Sequence, residues 1–261
     1  MKLLRYGPKG QEKPGLLDAD GQIRDLSEHV DDIAGDVLSD VSLARLRGLD
    51  PASLPLVAVQ PRIGACVGRV GKMVAIGLNY VDHAEEAGMP IPKEPVVFNK
   101  WTSAIVGPND DVEIPRGSTK TDWEVELGVV IGRPCKNVDE ANALDYVAGY
   151  CIVNDVSERA WQLERSGGQW DKGKGFDTFG PTGPWLVTRD EIADPQNLDL
   201  WLEVDGRRYQ NGNTRTMIFS VAKLVAYLSE CMSLQPGDII ATGTPPGVGL
   251  GMKPEPVYLK A

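Results

Sequence analysis

Histidine is nearly absent from this sequence. The 261-residue chain contains two, His29 and His83, so a metal site built on several imidazoles is excluded. Any metal must be held mainly by oxygen, which points to Mg²⁺ or Mn²⁺. Cysteine is also scarce. Cys66, Cys135, Cys151 and Cys231 are far apart and form no Cys-x-x-Cys pair, which argues against a disulfide framework and a thiolate zinc site. No apolar run is long enough to span a bilayer. The opening "MKLLRYGPKG" lacks the apolar core of a secretory signal, so a cytoplasmic location is expected. Basic charge is in deficit, with 27 Lys and Arg against 37 Asp and Glu and a net charge of −10. That disfavours nucleic acid and anionic membranes as partners. A small anionic substrate stays open, because a local site can invert the global field. Aromatic residues are 7% of the chain and form no stripe, which argues against a carbohydrate-binding β-sandwich.

What is present suits a globular protein with one large domain, or a main domain with a smaller one. Residues 1–66 read as a small N-terminal unit of α/β type. "KLLRYG", "GLLDADG" and "QIRDLS" are strand-like pieces, Asp20-Gly21 is a hairpin signal, and a helical stretch is expected around 28–47. "PRIGACVGRVGK" then reads as a linker or a crossing strand. From residue 67 the texture is that of a β-rich main domain. "MVAIGLNY", "VVFNKWTSAIVGP", "WEVELGVVIG", "YVAGYCIVND", "GPWLVT", "LDLWLEVDG" and "DIIATG" read as strands. Helices are fewer: "DEANALDYV", "VSERAWQLERS" and "SVAKLVAYLSECM". Many strands with sparse helices exclude a doubly wound parallel sheet and favour an α+β, mainly β domain with a mixed or antiparallel sheet. The chain ends at "PVYLKA", inside a strand-like pattern, and leaves room for a closing segment beyond residue 261.

The run "DWEVELGVV" places Glu124 and Glu126 on one face of a strand, about 6.6 Å apart along the backbone. Two readings are open: a pair on the wet face of an edge strand, or two ligands of a divalent cation that cancels their repulsion. Asp155, where a buried strand gives way to a helix, is the candidate third ligand. With Glu158 it also fits a simple capping box. If the helix begins near Asp155, Arg159 and Gln162 share its face and offer an anion clamp and an amide. His83 and Glu86 sit at i and i+3 on a helix of barely more than a turn, begun near Asp82 and stopped by Gly88 and Pro90. They read as a water-activating dyad on a lid, or as solvated surface residues. Lys172 and Lys174 lie among glycines, in a flexible loop or reaching an anion. "GDIIATGTPPGVGLG" lacks the Gly-Lys-[Ser/Thr] of a phosphate loop, but with Thr242 and Thr244 it leaves a carboxylate nest open.

Together "AIGLNYVDHAEE", "WEVELGVVIG", "GYCIVNDVSERAWQ", "KGFDTFGPTGPW" and "GDIIATGTPPGVG" resemble the fumarylacetoacetate hydrolase family, in the family's order and over roughly residues 70–250. The resemblance implies a mixed β-sandwich roll and a homodimer or higher homo-oligomer. It implies Mg²⁺ or Mn²⁺ on Glu124, Glu126 and Asp155, with water completing the shell because no counterpart of a further aspartate ligand is found. It implies His83 and Glu86 as the water-activating pair, Lys174 as the catalytic lysine, and Arg159, Gln162 and Thr244 as substrate contacts. The intact dyad favours hydrolysis of a C–C bond in a 2,4-diketo acid over the family's decarboxylase, isomerase and ureidoglycolate lyase chemistries. The opening "MKLLRYGPKGQEKPGLLDADG" is most similar to bacterial members acting on 2,4-diketo-3-deoxy sugar acids of the rhamnonate or fuconate type, which yield pyruvate and a hydroxy acid.

Overall fold

The computed structural model describes residues 1–58 and 60–261. Its strands are β1 Lys2–Tyr6, β2 Lys13–Leu17, β3 Ile23–Asp25, β4 Met73–Gly77, β5 Val96–Lys100, β6 Ile105–Val106 and β7 Thr121–Asp122. They continue with β8 Val125–Ile131, β9 Val147–Asn154, β10 Ser157–Glu158, β11 Gly180–Thr188, β12 Asp199–Val204, β13 Arg207–Asn213 and β14 Ile239–Ala241. The α-helices are α1 Asp40–Arg47, α2 Val81–Glu86, α3 Asp171–Lys174 and α4 Val221–Cys231. Ten strands form one sheet in the order β3-β2-β1-β11-β9-β8-β14-β4-β5, with β6 parallel to β11. Because β14 is also parallel to β4 while its other neighbour β8 is antiparallel, the sheet is mixed, and the α+β, mainly β reading holds.

Side-chain alternation explains how both faces are covered. Val74, Ile76, Leu127, Val129 and Ile240 point to one face, where Val221, Leu224, Val225 and Leu228 of α4 close the core. Met73, Ala75, Val130, Ile239 and Ala241 point to the other. That second core also contains Leu3, Leu16, Leu26, Ile33, Leu43 and Leu46, and β1 pairs with β11 at Leu3↔Leu186. Residues 1–66 thus share a sheet and a core with the main domain. The expected boundary near residue 66 is a change of sequence texture within continuous packing. The physical reason is that so short a segment buries little core alone, while the β11 edge needs partners for its backbone groups. The helix expected over 28–47 is reduced to α1 and a 3₁₀ turn at Gly35–Leu38. Among the described residues no helix is long and apolar enough to cross a membrane.

The pairing directions gather several strand termini at one end of the sheet. The C-terminal ends of β4, β14 and β9 meet there with the start of β8, because Ala241 pairs with Ala75 and Gly128, and Val125 pairs with Asn154.

Candidate active site

Three carboxylates converge at that end. Glu126 lies in β8 opposite Val153. Glu124 stands one residue before β8, its N–H donating to Asn154 Oδ1 at 3.1 Å. Asp155 follows β9, and its N–H donates to the Glu124 carbonyl at 2.9 Å. The β8–β9 pairing therefore continues past its last residue pair and brings in the third acid. One carboxylate oxygen from each residue lies within 4.8 Å of the others, and all three side chains are buried. The alternative of a wet edge strand for Glu124 and Glu126 is excluded.

Cations answer two of the three. Lys174 Nζ is 2.8 Å from both Glu124 Oε2 and Asp155 Oδ2. Lys100 Nζ is 2.5 Å from Asp155 Oδ1 and also donates to the carbonyls of Val156 and Lys174. Arg159 Nη1 is 2.7 Å from Glu124 Oε1 and 2.9 Å from Gln162 Oε1, while its Nε donates to Asp122 Oδ2 at 2.8 Å. Among the described residues Glu126 has no ion-pair partner and accepts only the Gly243 N–H, at 2.9 Å. Gly243 adopts φ +98°, and a Cβ there would come within 2.7 Å of Asn79 Cβ, so this amide position needs glycine.

The electrostatics follow from these partners. Burial pushes the Glu124 carboxyl up, but Lys174 and Arg159 outweigh it and hold the pKa at about 2. At Glu126 burial and the neighbouring Asp155 and Glu124 charges act together and raise the pKa well above the usual range. Burial opposes the Lys174 charge, but Asp155 and Glu124 overcome it and raise its pKa. For Lys100 burial wins and the pKa is lowered. The triad thus keeps one carboxyl, that of Glu126, without a cation of its own, in a donor set made only of oxygens. That set fits a hard divalent ion and does not suit a soft one.

The dyad forms as expected. His83 Nδ1 is 2.9 Å from Glu86 Oε2, and Glu86 Oε1 accepts the Gly247 N–H at 3.0 Å. A carboxylate only accepts, so the proton is assigned to Nδ1 and Nε2 is left as the basic nitrogen. Asp82 is not the N-cap, because α2 begins after Tyr80, but its Oδ1 accepts the first-turn His83 N–H at 3.0 Å and its carboxylate also accepts from Thr216 Oγ1.

Two local expectations fail for physical reasons. No helix runs through Asp155, Arg159 and Gln162: Ser157–Glu158 pairs with β7, and a single π turn follows at Ala160–Glu164. Both Asp155 oxygens are held by lysines, so no cap forms, and Arg159 meets the acids through tertiary packing. Nor does the glycine-rich loop leave an open nest for a ligand carboxylate. Its amides serve the chain's own acids: Gly243 donates to Glu126, Gly247 to Glu86, and Gly249 and Leu250 to Asp122. Arg159 is likewise no free fork, since only Nη2 lacks a partner.

A cavity of about 300 Å³ opens onto this cluster. His83, Glu86, Glu124, Arg159, Gln162, Lys174 and Thr244, seven of the nine candidate residues, line it. Glu126 and Asp155 complete the triad beyond that wall. Thr244 Oγ1 is fixed by donating to the Val125 carbonyl and accepting from Gln210 Nε2. Ile76, Met89, Leu163 and Trp170 add apolar surface to the lining. Sequence reasoning missed Lys100, Asp122 and Trp170. The alternation in "VVFNK" puts Lys100 on the inner face with Phe98, and a lysine in a core register is the signal that was there to be read.

A mainly β domain with a buried oxygen-donor triad and an imidazole–carboxylate pair on one cavity is the architecture of a metal-ready catalytic domain. Residues 72–261 match the family model described as the fumarylacetoacetate (FAA) hydrolase C-terminal domain, and the chain belongs to the fumarylacetoacetate hydrolase family. A relative in Burkholderia multivorans (strain ATCC 17616 / 249), provisionally named a hydrolase, is 81% identical over 261 residues, covering 100% of this chain and 92% of the relative. The solved structure of fumarylacetoacetate hydrolase from psychrophilic Exiguobacterium antarcticum superposes with a TM-score of 0.83 at 34% identity, over 100% of this chain and 92% of that one. That of 2-hydroxyhepta-2,4-diene-1,7-dioate isomerase from Mycobacterium marinum gives 0.72 at 34% identity, over 98% and 90%.

Proposed function

We propose that this chain is a divalent-metal-dependent hydrolase that cleaves the C–C bond of a 2,4-diketo acid. The observation that carries the reading is that the His83–Glu86 pair and the acid–lysine cluster face one cavity. A bound Mg²⁺ or Mn²⁺ on Glu124, Glu126 and Asp155 would supply a Lewis acid for the 2-oxo acid end of the substrate. Arg159 Nη2 is the donor left for the substrate carboxylate. His83 Nε2 takes a proton from water, which adds to the distal carbonyl carbon, while Glu86 holds the imidazole in that tautomer. When the bond between C3 and C4 breaks, its electron pair stays on C3. Lys174 neutralises the developing charge, and the imidazolium returns its proton to C3. The products are pyruvate and a second acid. The resemblance of the N-terminal segment narrows the substrate to a 2,4-diketo-3-deoxy sugar acid, such as 2,4-diketo-3-deoxyrhamnonate, whose second product is a hydroxy acid. It also carries the proposal of a homodimer.

Likeness to an isomerase of a dienedioate supports a second reading, in which the same site shifts or removes a group without attack by water. A panel assay separates the two. Purified protein is given Mg²⁺ or Mn²⁺ and a set of 2,4-diketo acids, a 2-hydroxydienedioate and oxaloacetate. The hydrolase reading expects pyruvate from the diketo acids, abolished by chelator and restored by metal. Turnover of the dienedioate alone replaces it with the isomerase.

A further inference from the structure

Lys174 occupies an unexpected place for a side chain that is to meet substrate. Its ammonium lies 2.8 Å from Glu124 Oε2 and 2.8 Å from Asp155 Oδ2, and the side chain is 2% exposed. Those oxygens belong to the triad, so the ammonium sits where a positive ion is most favoured and commits two of its three protons there. The same lysine forms part of the cavity wall, where hydrolysis needs its charge. With two of its three protons on the triad, the ammonium has at most one left for a group in the cavity. We infer that Lys174 is the resident cation of the carboxylate triad: a divalent metal displaces its ammonium from Glu124 and Asp155, and the freed side chain turns into the cavity. This rests on the metal-dependent reading above.

The neighbouring contacts suit such an exchange. The Lys174 carbonyl is held by Lys100 Nζ and its N–H donates to the Trp170 carbonyl at 3.1 Å, so the backbone is fixed and the exchange needs movement of the side chain alone. Asp155 Oδ1 stays with Lys100 at 2.5 Å, which leaves Oδ2 as the oxygen that changes partner. Glu126 has no ion-pair partner among the described residues, so an incoming metal gives it one. Metal loading and release of the lysine toward substrate then become one event, and without metal the triad remains partly neutralised.

Charge alone also weakens cation binding, so the test needs a lysine of equal charge outside the triad. Lys100 contacts Asp155 from the other side and serves as that comparison. Mn²⁺ is titrated calorimetrically into the full chain as wild type, Lys174→Met and Lys100→Met. Lys174→Met is expected to bind Mn²⁺ more tightly by about 5- to 150-fold, the common range for coupled ligands, and by clearly more than Lys100→Met. Equal or weaker affinity in Lys174→Met, or the same gain in Lys100→Met, overturns the exchange, while Mn²⁺ binding by wild type keeps the metal reading. No binding by any of the three overturns both. Should Lys174→Met not fold, acetylation of wild type by acetic anhydride, read by mass spectrometry, decides the matter. Lys174 should be labelled faster with Mn²⁺ present, and unchanged or slower labelling overturns the inference.

Discussion

The amide of Asp155 donates to the carbonyl of Glu124 at 2.9 Å, and this one backbone bond joins acids that stand 31 positions apart in the chain. The metal-ready geometry is thus an extension of the β8–β9 pairing, and the triad's spacing is fixed before any ion arrives. What this costs falls on Glu126, the acid with no cation beside it.

Replacing Glu126 with Gln should therefore stabilise the metal-free protein at neutral and alkaline pH. The folded-state pKa of Glu126 is raised above the ordinary 4.5, so the folded protein binds a proton that the unfolded chain releases earlier. Stability from this site is intact below about 4.5 and is lost as pH rises from there through the raised value. Glutamine keeps an acceptor for the Gly243 N–H and does not ionise. In chelator, the melting temperature of Glu126→Gln should exceed wild type near neutral pH and above, with the gap closing toward pH 4.5. Parallel curves for the two proteins at all pH values would show that Glu126 is not strained.

Asp122 should prove structural and necessary. It accepts from Arg159 Nε and from the N–H groups of Gly249 and Leu250, which ties the arginine to the loop beside the cavity. Asp122→Ala leaves buried donors without acceptors and should cost about 3–5 kcal/mol, measured by urea unfolding. A loss within experimental error of zero would mean that water replaces the carboxylate at no penalty.

Arg159→Lys should raise KM by about 10- to 100-fold, the worth of a hydrogen bond to a charged group, and lower kcat less. Lysine cannot hold Asp122, Glu124 and Gln162 from one point charge and still offer the donor that Nη2 supplies. Steady-state kinetics on a turned-over diketo acid checks this. An unchanged KM would remove Arg159 from substrate binding and leave it as a partner of Glu124.

Much of this was legible in the sequence. Period-2 alternation found the strands from Met73 and Val125, and the 3.6-residue period found α4, because in each case the pattern faces a core on one side. Glu124 with Glu126, and His83 with Glu86, were legible because each pair is close in the sequence, although the groups that hold Glu124 and Glu126 are distant. Asp155 was found for a wrong local reason, the helix face, since its true link to Glu124 is a non-local strand pairing that spacing does not encode. Asp122 escaped notice because its partners lie 37 and 127 positions away. The joining of the N-terminal strands to the main sheet escaped for the same cause: the pairing of β1 with β11 links Lys2 to Val187.

The measurement that bears most directly on hydrolysis compares two substrates in one variant. Cleaving a 2,4-diketo acid needs water delivered by His83, whereas decarboxylating oxaloacetate needs no attacking water. For His83→Ala, pyruvate release from a diketo acid should fall by about 10²–10⁴-fold, the usual worth of a positioned general base. Mn²⁺ affinity and any oxaloacetate decarboxylation should stay near the wild-type level. Diketo-acid cleavage at the wild-type rate in His83→Ala, or a wild-type enzyme that turns over oxaloacetate in preference to every diketo acid, would contradict the hydrolase.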